Sequence, residues 1–341
     1  MTGAPWSGSV LLTLMFPGFG QGLARRRARM LGWALGTIVT TLAIVWSVWW
    51  LPVALAVRIG AAIDAGVVLR RHAMASDRVL AAIAVVIGAI SGGSYRFALE
   101  TFKIPTSSMY PTLVIGDHLY VDELTVRWQP PERGEIIVFD QPCAHRPYVK
   151  RVIAVGGDTV EVRCNYVYVN GTRIPDDPVQ PHTSYRDYDE MTGKWIERRC
   201  SRYRETHGGH TYDVFHDEDR PERDRASNLE RGDAHDFPDL QRMIAPSCQQ
   251  GDFYAPKPGA AQQPIGQLVV TKRGAQPCEQ QAHFVVPEHS LFVMGDNRNN
   301  ANDSRYWGVV TLDAVIGRAI GIWLTQPPHG SRSWSRFGAV H

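Results

Sequence analysis

Paired cysteines, long basic tracts and helical amphipathic periods outside the first hundred residues are all missing from this chain of 341 residues, and each absence removes a class of function. With a formal charge of +2 and its 36 basic residues scattered, the protein is not expected to bind nucleic acid. Only five cysteines occur, Cys143, Cys164, Cys200, Cys248 and Cys278, and none forms a Cys-x-x-Cys pair, so no structural zinc is expected. In an oxidising compartment they allow one or two disulfides, and the odd count leaves at least one thiol without an internal partner. His207, His210, Asp213 and His216 match no familiar ligand spacing, and His210, Tyr212 and Val214 alternate as one face of a strand would. No metal and no cofactor is expected.

What the chain does have is a sharp division near Glu100. Mean hydropathy is slightly negative overall, yet the first hundred residues are strongly apolar. Residues 31–51 (LGWALGTIVTTLAIVWSVWWL) are uncharged over roughly the 20 residues a bilayer requires. Residues 79–95 are slightly shorter, also uncharged, and end in a Gly-Ser-aromatic cluster suited to the interface. Between them, residues 52–69 carry Arg58 and Asp64, which must be paired or face other helices to lie in a membrane. Arginines 25, 26, 27 and 29 precede the first span and arginines 70, 71 and 78 the last, so the positive-inside rule puts both clusters in the cytoplasm. The chain then crosses three times and emerges on the outer face. Residues 8–20, interrupted by Pro17, read as interfacial or re-entrant, and not as a removed signal.

Beyond residue 100 the signals are those of strands. HLYVDEL, GEIIVFD, YVKRVIAV, DTVEVR and YVYVNGTRI are short, rich in β-branched and aromatic residues, and separated by Gly, Pro and Asp, with a hairpin turn at Asn170-Gly171. Connections this short exclude a βαβ pattern. Residues 179–266 turn to Arg, Asp, Pro, Gln and His with brief strand-like pieces, which reads as an inserted polar lobe. Strand character returns from residue 267 to about 327, before a polar tail over 328–341.

Where this chain leaves the membrane it presents FKIPTSSMYPTL, two adjacent serines fixed between Pro105 and Pro111. A serine hydroxyl becomes a nucleophile only when something accepts its proton, and the two familiar acceptors are histidine and neutral lysine. His118 or His145 with Asp296 or Asp303 is one arrangement, although no G-x-S-x-G elbow accompanies it. Lys150 is the other, embedded in the apolar strand PYVKRVIAV, where one of two adjacent cations is expected to point inward. Lowering a lysine from about 10.4 to about 8 takes roughly 3 kcal/mol of desolvation, within reach of a site lined by Val, Ile and Tyr. Local composition on its own favours a solvated Lys-Arg pair at a strand edge.

Taken together and in order, IPTSSMYPTLVIGD, RGEIIVFD, YVKRVIAVGGD and VMGDNRNNANDSRYWGVV resemble the serial motifs of bacterial type I signal peptidases, or leader peptidases. The likeness covers nearly all of residues 102–169 and 286–324, and the terminal SRFGAVH is similar to the end of proteobacterial members. It implies a mainly β fold: an antiparallel β catalytic domain (101–178 and 267–327), a second β/irregular lobe (179–266) and an α-helical transmembrane anchor (1–100). It implies a membrane-bound, monomeric serine endopeptidase that removes signal peptides from exported preproteins on the outer, periplasmic face of the inner membrane. The family nucleophile falls on Ser108, the base on Lys150, and the oxyanion donors on the Ser108 N–H and the Thr106 hydroxyl. Gly295 and Asn297 match the signature with Asp296 and Arg298, while Asp303 and Arg305 match the pair that supports the dyad. Two departures stand out: Ser107 replaces a usual glycine, and Ala301 replaces a serine that commonly bonds the lysine amine.

Signal peptides end in small residues at the first and third positions before the cut, which calls for shallow apolar pockets. Phe102 and Ile104 share one face of an extended segment beside the nucleophile. The resemblance adds Met109, Leu113, Val138, Tyr148 and Val149 to the pockets. A protease dedicated to one secretion component, and a membrane-anchored scaffold that has lost turnover, are the alternatives.

Overall fold

The computed structural model describes residues 6–24, 26–46, 50–71, 83–87, 99–143, 146–189, 192–225, 236–238, 246, 266–276 and 278–340. Two compact units emerge, Met1–Glu100 with Asp122–Trp128, and Thr101–Val121 with Gln129–His341. His145, Cys248 and most of residues 79–95 lie outside the described residues.

The first unit holds helices α1 (Trp6–Met15), α2 (Phe19–Leu23), α3 (Arg27–Trp46) and α4 (Leu51–Arg71). The chain breaks between α1 and α2 around Pro17, as a residue without an N–H and with fixed φ dictates. Pro52–Leu69 is, among the described residues, the one helical segment long and apolar enough to cross a membrane. Its two charges are satisfied inside the unit. Asp64 accepts hydrogen bonds from Gln21 Nε2 at 3.0 Å, Arg29 NH1 at 2.7 Å and Trp33 Nε1 at 3.0 Å, while Arg58 NH1 donates to the Met15 carbonyl at 2.8 Å. Helices approach closely because small residues face the contact: a Cβ on Gly20 would stand 2.8 Å from the Ala65 Cβ.

The second unit is antiparallel β. Its first half contributes β1 (Leu99–Lys103), β2 (Asp117–Asp122), β3 (Ile136–Asp140), β4 (Pro147–Val155), β5 (Thr159–Arg163), β6 (Tyr166–Val169) and β7 (Thr172–Arg173). The inserted segment contributes β8 (Asp176–Asp189), β9 (Lys194–His207), β10 (His210–His216) and the short helix α5 (Arg220–Arg225). The remainder is β11 (Gln267–Val270), β12 (Ala282–Val285), β13 (Ser290–Met294), α6 (Ser304–Trp307), β14 (Val310–Thr311), β15 (Val315–Thr325) and β16 (Gly338–Ala339). An eight-stranded sheet runs β1-β2-β15-β3-β4-β13-β14 with β16 on β15; a five-stranded sheet runs β11-β12-β5-β6-β7; and β10-β9-β8 form the third.

Alternation decides which core each side chain joins. On β3, Ile136 and Val138 pack with Ile104, Met109 and Leu113, whereas Ile137 and Phe139 pack on the other face with Val152, Val293 and Trp307. A further core, including Ile153, Val160, Val162, Phe284 and Phe292, joins the five-stranded sheet to the first. Asn170 and Gly171 both take positive φ (52° and 74°) in the tight turn between β6 and β7, the combination that Asn-Gly favours.

Two segments are more ordered than their composition indicates. In residues 179–266, two strands of 14 residues replace the brief pieces expected, because cross-strand polar pairs do what apolar alternation does elsewhere. Arg198 Nε donates to Asp187 at 2.7 Å, Ser184 Oγ to Glu197 at 2.5 Å, and Arg202 and Arg204 both to Asp213. Within this sheet His207 bonds the Ile153 carbonyl and His216 packs edge-on to Tyr203, so structural contacts occupy them. Residues 328–341, read as a tail, return to the sheet as β16, where Arg336 NH2 donates to the Thr112 carbonyl at 2.7 Å.

Cys164 and Cys278 form a disulfide across a separation of 114 residues, Cys143 is also disulfide-bonded, and Cys200 is free and buried. Closing a loop of that length stabilises the fold chiefly by restricting the unfolded chain. Replacing both Cys164 and Cys278 by alanine is expected to lower unfolding free energy by about 4 kcal/mol. Urea titration of the detergent-solubilised protein measures it, and an unchanged midpoint would contradict the assignment.

Candidate active site

The segment joining β1 to β2 carries Ser108 in a run of turns, closed by Tyr110 N–H to Ser107 O at 3.1 Å and Leu113 N–H to Met109 O at 2.9 Å. Its position is fixed from the facing loop after β13. A Cβ at Gly295 would lie 2.4 Å from the Ser108 carbonyl oxygen, so only glycine permits this approach. Asn297 then donates from its backbone N–H to Ser108 O at 3.1 Å and from Nδ2 to Ser107 O at 3.1 Å.

Lys150 lies on β4, a central strand paired with β3 on one side and β13 on the other. Both Lys150 and Arg151 are buried, at 3% and 0% exposure, where the sequence suggested that only one of them points inward. The strand is covered on both faces, which removes the solvated-pair alternative. The Lys150 Nζ donates to Ser108 Oγ at 2.9 Å and to the Val149 carbonyl at 2.8 Å. Burial drives its pKa from 10.5 down to about 8, against the opposing pull of the Asp303 and Asp296 carboxylates. Thr106 Oγ1 stands 3.2 Å from Ser108 Oγ and is exposed to the cleft.

Carboxylates around the pair are all engaged. Asp296 receives Arg151 through two bonds of 2.8 Å and the Thr112 hydroxyl at 2.5 Å, while the Arg151 guanidinium stacks 3.6 Å from the Tyr212 ring centroid. Asp303 accepts from Arg305 Nε and NH2 at 2.9 Å each and from the Gly295 N–H at 3.1 Å. These pairs organise the loop that faces the serine, and the two carboxylates act on the lysine amine through their charge. At Ala301, buried and lining the cleft, no hydroxyl is offered, and the Val149 carbonyl is the amine's second partner. His118 packs edge-on against Trp323 with centroids 5.3 Å apart and does not line the cleft.

A cleft of about 1070 Å³ opens at Ser108 and Lys150. Of the pocket residues read from the sequence, Phe102, Ile104, Met109, Tyr148 and Val149 line it. Leu113 and Val138 do not: both are fully buried in the core beneath Ile104 and Met109, supporting the wall from behind. Sequence reasoning missed Asp187, Tyr188 and Asn300, which also line the cleft. The first two come from β8, where nothing in the local composition distinguishes them from the other polar residues of the insertion.

The sequence matches the family described as signal peptidase, peptidase S26, over residues 76–324. Among relatives, the signal peptidase I of Aquifex aeolicus is 30% identical over 67% of this chain and 77% of its own length. The signal peptidase I of Buchnera aphidicola from Acyrthosiphon pisum is 26% identical over 72% of this chain and 76% of its own, and that of Pseudomonas aeruginosa 26% over 72% of each. The match extends over the turn that carries Ser108, β4 and the Gly295–Arg305 loop alike. The chain belongs to the signal peptidase family, peptidase S26, whose activity is the removal of signal peptides from preproteins.

Proposed function

We propose that this signal peptidase cleaves with Ser108 as nucleophile and the neutral amine of Lys150 as general base. The observation that carries the reading is the 2.9 Å contact between Lys150 Nζ and Ser108 Oγ at an amine with almost no solvent exposure. In the neutral state the lysine lone pair accepts the Ser108 proton as Oγ attacks the scissile carbonyl. The oxyanion takes hydrogen bonds from the Ser108 N–H and the Thr106 hydroxyl. The resulting ammonium protonates the leaving amine, and the neutral lysine then deprotonates water to hydrolyse the acyl-enzyme. Gly295, Asn297, Asp303 and Arg305 hold the turn and the base in register. Walls at Phe102, Ile104, Met109, Tyr148 and Val149 favour small side chains at the first and third positions before the cut, with Leu113 and Val138 keeping those walls from yielding.

The enzyme works as a multi-pass protein of the bacterial plasma membrane, with spans at 31–51, 52–69 and 79–95 and Ser108 on the outer face. The arginine clusters before the first and last spans support this orientation. Its substrate is anchored in the same bilayer, and shared tethering raises the local concentration of the scissile bond. Because Ser108 and Lys150 come from one chain, a monomer holds a complete site.

Cleavage of a preprotein is expected to vanish in Ser108→Ala and in Lys150→Ala. In the wild type kcat should rise with pH through about 8, since the base acts only after losing its proton. Activity persisting in Lys150→Ala would point to another base. Stability gives an independent check. Between the folded value of about 8 and the unfolded value of 10.5 the unfolded chain binds more protons, so stability rises with pH across that window. Below it the buried ammonium costs about 3 kcal/mol. Lys150→Met should therefore unfold at higher urea than wild type at pH 7, with the gap narrowing by pH 10; an equal gap at both pH values would argue against a desolvated lysine.

A further inference from the structure

Ser107 is 2% exposed, and a hydroxyl so far from water needs a partner. Asn300 supplies it, with Nδ2 3.0 Å from Ser107 Oγ. The same nitrogen stands 3.3 Å from the Tyr185 hydroxyl and 3.1 Å from Asp187 Oδ2, both on β8 of the inserted sheet. With two hydrogens for three acceptors, one hydrogen is shared. Asp187 is itself gripped across the hairpin by Arg198 Nε at 2.7 Å. The amide of Asn300 thus joins the residue preceding the nucleophile to the far hairpin.

Two further contacts of the same sheet converge on the same place. The Tyr185 ring meets Tyr110, two residues past Ser108, edge to face at 5.3 Å, and stacks on Phe215 of β10 at 5.4 Å. Phe215 extends the backbone pairing to the loop after β13: its N–H donates to Asp296 O at 2.9 Å, and its carbonyl accepts from the Arg298 N–H at 2.8 Å. The nucleophile turn is therefore held on one side by Gly295 and Asn297 and on the other by residues 185–187 and 215.

We propose that the inserted three-stranded sheet is a brace for the nucleophile turn, acting through the hydrogen bond between Asn300 and Ser107, and that these two are positioning residues for Ser108. The inference rests on the assignment of Ser108 as nucleophile. Neither side chain touches the Lys150 amine, so losing their bond misplaces Ser108 Oγ without altering the base.

Preprotein cleavage by the full-length, detergent-solubilised enzyme tests it in Ser107→Ala, Asn300→Ala and the double variant, with Ser108→Ala as control. Each single change should lower kcat about three- to tenfold, the worth of one buried hydrogen bond, with KM within about twofold of wild type. The rate should still rise through about pH 8. The double variant should be no slower than the worse single one, because one interaction is removed either way. Wild-type kcat in both single variants, losses that multiply, or a change confined to KM would each overturn the brace. If Asn300→Ala fails to fold, Ser107→Ala, which deletes one hydroxyl, decides by its kcat alone. Should Ser108→Ala remain active, the nucleophile assignment is what fails; should it be inert while the other variants match wild type, only the brace falls.

Discussion

A primary amine is a base at neutral pH only if the fold refuses it water, and in this protein that refusal is built from sheet geometry. Lys150 sits on a strand with neighbours on both edges and hydrophobic clusters on either side, so its side chain has one outlet, toward Ser108. The nearest carboxylates, Asp296 and Asp303, would restore the positive charge if they were free to pair with it. Each is instead saturated by an arginine, Arg151 and Arg305 respectively, which leaves their influence on the amine as a weaker electrostatic pull. Desolvation wins over that pull, and the net shift is downward.

A dry amine meets Ser108 only if the serine is held in place as well. Three sets of contacts converge on the turn at residues 106–112. Gly295 removes the side chain that would push the Ser108 carbonyl away, Asn297 binds the carbonyls of Ser107 and Ser108, and the Thr112 hydroxyl reaches the buried Asp296. Asp296 is simultaneously the partner of Arg151, the residue after Lys150. One carboxylate therefore ties the segment of Ser108 to the strand of Lys150, and the short distance between the two residues follows from a shared anchor instead of two independent placements.

Much of this was legible in the residues. The membrane-proximal serine, the lysine in an apolar strand and the signature after Met294 could be read directly, as could strand after strand from period-two alternation and the Asn170-Gly171 turn. Lys150 and Arg151 are half legible: alternation sends neighbours to opposite faces, but only the tertiary structure reveals that both faces are covered. The insertion was under-read for a physical reason. Its strands are stabilised by arginine and carboxylate pairs across the hairpin, a pattern that in one dimension is indistinguishable from a solvated loop. Leu113 and Val138 show the converse, since an apolar residue near a cleft and one a layer behind it look alike until depth is known.

Arg151, Asp64 and Lys150, three of the ionisable groups that the fold draws away from bulk water, follow one rule with different endings. Arginine cannot shed its proton within reach of ordinary pH, so Arg151 must be paired, and it receives a bidentate carboxylate, the Gly134 carbonyl and an aromatic face. Asp64, on the apolar helix α4, is surrounded by donors from Gln21, Arg29 and Trp33, so the charge that would oppose membrane insertion becomes the point at which three helices are joined. Lys150 alone is left without a direct counter-ion, with only a hydroxyl and a carbonyl to bond. Lysine, unlike arginine, has a neutral form close enough in energy for burial to reach it. Of these three groups Lys150 is thus the one that the fold leaves without a direct counter-ion, and its lowered pKa is the direct result of that omission.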